Sequence, residues 1–104
     1  MANWIEVKEH VVNTIVKAGI TDREVIQVIL KLHRCANTCR NMQANGCSQE
    51  YITYTKPAMQ FEELMEQLYI SYVPSVKPKF YEQWLAYCKV GNIVPSADLF
   101  DWLA

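Results

Sequence analysis

Apolar side chains recur at intervals of three and four residues along most of the chain, which is the spacing of an amphipathic helix. Glycines and prolines bound these segments, because glycine commonly ends a helix and proline is tolerated in its first turn. The pattern predicts an all-α fold, a compact bundle of about five helices with one long central helix. The predicted helices cover residues 3–18, 21–44, 56–72, 78–90 and 96–103.

Capping residues and glycines mark the predicted helix ends. Asn3 with Glu6, and Thr21 with Glu24, fit the capping box, in which two side chains bond to free N–H groups of the first turn. The predicted helix terminators are the three glycines, Gly19, Gly46 and Gly91. Residues 51–55, Tyr-Ile-Thr-Tyr-Thr, alternate like a strand. A lone strand has no pairing partner, so we expect an extended linker there.

The long central helix at about 21–44 carries two stripes of different character. One is apolar and typical of a core-facing surface, and its members are Val25, Val28, Leu32, Cys35, Cys39 and Met42. The other lies one position earlier and consists of Gln27, Lys31, Arg34, Thr38, Asn41 and Asn45. This second stripe is polar throughout, so we expect it to face water, a ligand or a partner. Its possible binding residues are Lys31, Arg34, Thr38 and Asn41.

Length and charge narrow the classes of function. With 104 residues the chain is long enough for one core, so we expect a single helical domain over residues 1–104. A net charge of −1 gives no strong attraction to nucleic acid. No apolar run approaches the ~18 residues that a membrane span requires. Charged residues within the first ten positions interrupt any signal-peptide core, which predicts a cytoplasmic protein without a membrane partner.

Three of the four cysteines and one of the two histidines fall close together near the end of the central helix. Cys35 and Cys39 are one turn apart, but His33 lies about 200° round the helix from Cys35. A zinc or Fe–S site would also need Cys47 and Cys88, and this spacing matches none of the common zinc patterns. Free cysteines behave as small hydrophobes, so we expect Cys35 and Cys39 to be buried without a metal or other cofactor.

The sequence contains no recognisable catalytic constellation. Its isolated glycines cannot build a phosphate-binding loop. His10 and His33 each have a charged neighbour, and we expect both at the surface. Glu62, Glu63 and Glu66 lie opposite the apolar stripe of their predicted helix, so they should face solvent. We therefore expect a protein that is not an enzyme.

Aromatic residues concentrate in the second half of the chain. Of three tryptophans, six tyrosines and three phenylalanines, only Trp4 precedes position 51. A domain this small cannot easily bury every ring, and exposed Tyr and Trp dominate protein–protein hot spots. The predicted partner-binding residues are Tyr69, Tyr72, Phe80, Tyr81, Trp84, Tyr87 and Trp102. Acidic residues outnumber basic ones in this half, which suits a partner with a basic surface.

Residues 96–100, Ser-Ala-Asp-Leu-Phe, resemble the pentapeptide by which bacterial proteins bind the sliding clamp, usually written Gln-Leu-(Ser/Asp)-Leu-Phe. The last three residues match, while Ser96 replaces the glutamine that anchors the family's motif. The resemblance implies a clamp-binding segment. The alternative is a closing amphipathic turn that packs Leu99, Phe100 and Leu103 onto the core.

These features predict a small protein-binding module, a regulator or inhibitor that occupies a surface of a larger, nucleic-acid-handling protein. Small helical proteins of near-neutral charge are typical of phage and mobile-element accessory proteins. One alternative is a DNA-binding transcriptional regulator that uses the polar stripe of the central helix. The other is a small metal or Fe–S protein that uses all four cysteines, Cys35, Cys39, Cys47 and Cys88.

Overall fold

The computed structural model, which describes residues 3–70 and 79–104, is an all-α single domain. No strand occurs within those two ranges. The helices are α1 (Trp4–Lys17), α2 (Arg23–Ala44), α3 (Gln49–Thr53), α4 (Lys56–Ile70), α5 (Tyr81–Gly91) and α6 (Leu99–Leu103). The predicted helical fold with a long central helix is therefore confirmed. Within the described part of the chain, no helix has the length and apolar character that a membrane span needs.

Helix α2 is central because two of its faces are buried. The predicted apolar stripe forms the first face: five of its members are buried and Met42 is partly buried. From this face, the Sγ of Cys35 lies 3.8 Å from the Oε1 of Gln60 in α4. The second face consists of Ile29, His33, Ala36 and Asn37. It contacts α5 and α6 through His33, whose ring meets those of Tyr87 and Trp102.

The N-cap of α1 is the residue that the sequence predicted, whereas the N-cap of α2 lies one residue after the predicted one. Asn3 is the N-cap of α1, and its Oδ1 accepts a hydrogen bond from the N–H of Ile5 at 2.9 Å. The predicted cap at Thr21 is wrong, because Asp22 takes that place. Its Oδ1 accepts from the N–H of Glu24 at 2.9 Å, which satisfies one free donor of the first turn.

The glycine terminators are confirmed at two of three positions. Gly19 and Gly46 have φ values of +73° and +90°, in the left-handed region that ends a helix. Gly91 instead remains within α5, and Asn92 adopts the left-handed conformation after it. A Cβ on Gly91 would lie 3.1 Å from Cγ2 of Thr14, so the missing side chain permits the close approach of α5 to α1.

The predicted extended linker at residues 51–55 is wrong, because residues 49–53 form α3. The hydroxyl of Ser48 caps this helix by accepting from the N–H of Tyr51 at 3.1 Å. Ile52 is fully buried and fixes α3 to the core, while Tyr51 faces solvent. This short helix buries a single apolar side chain. An alternating pattern is therefore compatible with it as well as with a strand.

The last two helices begin three residues later than predicted. Helix α5 begins at Tyr81 without a side-chain cap. Helix α6 begins at Leu99, and Asp98 caps it by accepting from the N–H of Phe100 at 2.8 Å. Leu99 is buried and Leu103 packs against the core, which confirms the predicted closing turn for both residues. The predicted end of the third helix, at 72, lies outside the described residues.

Candidate functional site

The predicted partner-binding aromatics divide into core and surface residues. Four of them are buried: Phe80, Trp84, Tyr87 and Trp102. These four therefore do not present the exposed rings that a partner surface requires. Tyr72 lies outside the described residues. Tyr69 is partly buried and Tyr81 is 37% exposed, so these two remain candidates for a partner surface.

Three stacked rings explain why the aromatics are buried. Trp84 stacks on Tyr87, with centroids 5.6 Å apart and planes at 14°, and on Trp102, with centroids 6.1 Å apart. Trp102 meets Phe61 edge-on at 5.6 Å. Helices α5 and α6 are short and offer few other large apolar side chains, so rings supply the buried area that joins them to α2 and α4.

Tyr69 and Tyr81 lie side by side, with ring centroids 6.1 Å apart. Tyr69 also lines a groove of about 520 Å³ between α4 and the segment that precedes α6. We call this the acidic groove, and its lining residues are Glu62, Met65, Glu66, Tyr69, Pro95 and Ala97. Burial raises the pKa of Tyr69 above its ordinary value, so its hydroxyl stays protonated at neutral pH.

Carboxylates dominate the charge of the acidic groove. Glu62, Glu63 and Glu66 are exposed, which confirms the predicted solvent face of α4. Within the described residues, no basic side chain pairs with Glu62 or Glu66. Glu62 and Ala97 also border a neighbouring hollow that includes Asp98. The negative potential therefore extends along one side of the molecule and would attract a basic group.

The polar stripe of α2 lies on the surface, as predicted. Lys31, Arg34 and Thr38 are exposed and Asn41 is partly buried. The Thr38 hydroxyl donates to the carbonyl oxygen of Arg34 at 3.0 Å, so it is occupied within the helix. The binding role of this stripe stays a prediction.

The cysteines are free thiols, and the predicted burial of Cys35 and Cys39 is confirmed. Cys88 is also buried, whereas Cys47 is partly exposed. Burial raises the pKa of Cys39 to about 11 and that of Cys88 to about 12, which disfavours the thiolate that metal binding requires. In the described part of the chain, His, Cys, Asp and Glu form no group of three or more that could hold a metal ion.

The surface prediction is confirmed for His10 and wrong for His33. His33 is only 8% exposed, its Nε2 lies 2.8 Å from the hydroxyl oxygen of Tyr87, and its ring meets Trp102 at 5.2 Å. Burial is the main cause that lowers its pKa to about 4, and the nearby charges of Arg40 and His10 contribute the rest of that shift. The prediction placed His33 at the surface because its neighbour Arg34 is charged. Adjacent residues on a helix point 100° apart, so an exposed Arg34 does not require an exposed His33.

A second hollow, of about 760 Å³, opens between α1, α2 and the segment from Ile93 to the end of α6. We call it the C-terminal cleft. Its apolar lining comes from Val7, Val11, Ile93, Val94 and Trp102. Its polar lining comes from Glu6, His10, His33, Arg40, Ser96 and Asp101. The sequence analysis missed this site, because its residues come from three separate stretches of the chain.

Arg40 and Ser96 hold α6 at the edge of the C-terminal cleft. The Nε of Arg40 donates to the carbonyl oxygen of Trp102 at 2.9 Å, and a second guanidinium nitrogen donates to the same oxygen. The indole N–H of Trp102 donates to the carbonyl oxygen of Ser96 at 3.0 Å. The Ser96 hydroxyl donates to Asp101 at 2.8 Å. These bonds fix the cleft wall that Trp102 forms.

The chain matches no known protein family, no curated protein and no solved structure. Its function is therefore inferred from its own surfaces. Two of them combine apolar and charged side chains in a concave shape: the acidic groove and the C-terminal cleft.

Proposed function

We propose that this protein is a non-enzymatic protein-binding module whose acidic groove holds a basic surface of a larger partner. The supporting observation is the pairing of Tyr69 and Tyr81 beside Glu62 and Glu66, which have no basic partner within the described residues. Tyrosine is enriched at interaction hot spots, and carboxylates at a rim attract a basic partner and orient it.

A nucleic-acid-handling protein suits this surface, because such proteins present clustered Lys and Arg to bind phosphates. A small acidic module bound to those Lys and Arg side chains would exclude the nucleic acid, because it would occupy the same basic groups. The protein would then act as a regulator or inhibitor in the cytoplasm, of the phage and mobile-element accessory type. Its compact size suits this role, since the principal extents of the fold are 43 × 29 × 20 Å.

The chemistry of the buried polar groups favours binding over catalysis. A general base works best with a pKa near the operating pH, whereas the pKa of His33 is lowered to about 4. Its Nε2 is also engaged with the hydroxyl of Tyr87. Asp101 accepts a hydrogen bond from Ser96 and has no histidine partner among the described residues.

DNA binding through α2 has less support. Of the four basic residues that the sequence places between positions 23 and 40, Arg40 is bound to the carbonyl of Trp102. Arg23, Lys31 and Arg34 are exposed, but three basic side chains are fewer than the cluster that phosphate binding normally needs. A heparin column with a salt gradient tests this alternative directly.

The proposal is tested by capturing partners from a host lysate with the wild-type chain and with matched variants. Tyr81→Ala removes a ring that lies outside the core, so the melting temperature should fall much less than for the core variant Trp84→Ala, while binding to the captured partner falls about 30-fold, the hot-spot threshold. The double variant Glu62→Gln/Glu66→Gln should slow association and flatten its salt dependence. With the purified partner, calorimetry then measures each affinity, and surface plasmon resonance at several salt concentrations measures each association rate.

The double variant Lys31→Ala/Arg34→Ala is the matched control, because it changes two exposed charges on a different helix. It should leave the affinity for that partner unchanged. If this control abolishes binding while Tyr81→Ala does not, the polar stripe is the interface and the acidic groove is not. If neither the Tyr81 nor the Glu62/Glu66 variant weakens capture, the proposal is wrong.

A further inference from the structure

The C-terminal cleft is separate from the acidic groove, since the two share no lining residue. Its volume of about 760 Å³ lies within the range of ligand pockets, roughly 300–1,000 Å³. Such pockets combine apolar walls with a small number of polar groups that orient the ligand. Here Val7, Val11, Ile93 and Trp102 supply the apolar wall.

Arg40 brings a cation to this cleft without a matching anion. Its guanidinium donates to the carbonyl oxygen of Trp102, and no carboxylate of the described residues forms an ion pair with it. A guanidinium has five N–H donors, so donors remain after that contact. Much of the side chain is exposed, yet partial burial still lowers the pKa of Arg40. A charge that is partly desolvated in this way gains from an anionic partner.

His33 also lines this cleft. The ring is neutral at pH 7, and its Nε2 lies at hydrogen-bond distance from the hydroxyl of Tyr87. When that hydroxyl donates to Nε2, the proton of the imidazole resides on Nδ1. No residue of the described ranges hydrogen-bonds to Nδ1. His33 and Arg40 are seven residues apart on α2, which places them on one face about 10 Å apart along the axis.

We propose that the C-terminal cleft binds a small apolar carboxylate, an aliphatic or aromatic acid. The apolar body lies against the valines of α1 and the ring of Trp102, and the carboxylate accepts hydrogen bonds from Arg40. Glu6 and Asp101 also line the cleft and oppose an anion. Both are exposed, so water and salt screen their effect. Asp101 is further occupied as the acceptor of the Ser96 hydroxyl.

Three probes of equal chain length test the charge preference: octanoate, octanamide and octylamine. Each is titrated into the ¹⁵N-labelled full chain and followed by NMR. Octanoate should bind at least about tenfold more tightly than octanamide, as expected for a hydrogen bond to a charged group. Its shifts should cluster at the lining residues of the cleft. Tighter binding of octylamine, equal binding of all three or no binding of octanoate would overturn the proposal.

Variants separate the role of Arg40 from its structural bond to Trp102. Arg40→Gln should weaken octanoate about tenfold and leave octanamide nearly unchanged. Because this variant can loosen α6, Val94→Asp provides a second test at a residue that is 82% exposed at the cleft. It should weaken octanoate and strengthen octylamine without affecting stability. An octanoate affinity unchanged in both variants would contradict the assignment.

Removing a carboxylate at the edge of the cleft tests the proposal in the opposite direction, because it should strengthen octanoate binding. Glu6→Gln removes a carboxylate that lines the cleft and should strengthen octanoate about twofold to threefold at low salt, since exposed charges interact weakly. Glu9→Gln on the same helix is the matched control, because Glu9 is exposed and does not line the cleft. Equal effects of the two variants would place the carboxylate elsewhere. Because neither residue borders the acidic groove, failure here leaves the proposed partner surface untouched.

Discussion

Single side chains in this domain owe their chemistry to burial more than to charged neighbours. Cys39 and Cys88 lie in the core as protonated thiols, and His33 lies there as a neutral imidazole. Helical spacing predicted the burial of Cys39, because this residue falls in the apolar stripe of α2. It could not predict His33, because a buried polar ring depends on a partner from a distant helix, here Tyr87 of α5.

We expect one fast-reacting thiol in each folded chain. Cys47 is partly exposed, whereas burial raises the pKa of Cys35, Cys39 and Cys88 and excludes reagent. With a disulfide reagent at pH 8, a single equivalent should react before denaturant is added. Cys47→Ala should remove that fast phase, and the control Cys35→Ala should retain it. Two or more fast equivalents in the wild type would show that the core cysteines are accessible.

We expect acid to destabilise the fold through His33. Its folded pKa of about 4 lies below the ordinary 6.5, so the unfolded chain binds the proton first as the pH falls. The contribution of His33 is complete above about pH 6.5 and declines toward pH 4, by on the order of 3 kcal/mol. Urea unfolding at several pH values measures the decline.

His33→Gln should remove this part of the pH dependence, so the stability difference from the wild type should shrink between pH 7 and pH 4. His10→Gln is the comparison variant. It should retain most of the wild-type slope, because the charge of His10 is the smallest of the three causes that lower the pKa of His33. A His33→Gln variant that keeps the full slope would assign the effect to other groups.

At the scale of the element, long amphipathic helices were predictable and short ones were not. Helix α2 carries enough turns for its apolar stripe to fix both type and orientation. Helix α3 has five residues, fewer than the window in which a period of 3.6 can be distinguished from alternation. One local signal does mark it in the sequence, the serine at position 48 that caps the helix.

The start of α2 offers a sharp test between two adjacent residues. Asp22→Ala should cost about 1 kcal/mol of unfolding free energy, because the carboxylate accepts from the N–H of Glu24 and lies at the positive end of the helix dipole. Thr21→Ala is the matched control and should stay within about 0.5 kcal/mol, as for an exposed residue. Chemical denaturation measures both. A larger loss at Thr21 than at Asp22 would restore the capping box that the sequence suggested.

At the scale of the whole molecule, the packing of the helices determines which aromatic rings lie in the core and which lie at the surface. Composition predicts that this half of the chain holds many rings, but only the packing of α2, α4, α5 and α6 determines which rings meet. Trp84 and Trp102 lie in that junction, whereas Tyr81 lies outside it. The C-terminal cleft was unpredictable for the same reason, since residues from separate elements line it. The acidic groove was predictable in part, because Glu62, Glu66 and Tyr69 all lie on α4.

We expect α6 to unfold together with the rest of the bundle. Although α6 has only five residues, Trp102 contacts His33, Phe61 and Trp84, and Arg40 binds its carbonyl oxygen. With 5-fluorotryptophan incorporated into the otherwise unchanged chain, the ¹⁹F resonance of Trp102 reports on the surroundings of α6, and circular dichroism reports on the whole helical content. Coincident urea transitions are the expected two-state result. A ¹⁹F transition of Trp102 at lower urea would show that α6 detaches first, and that the wall of the C-terminal cleft is not fixed.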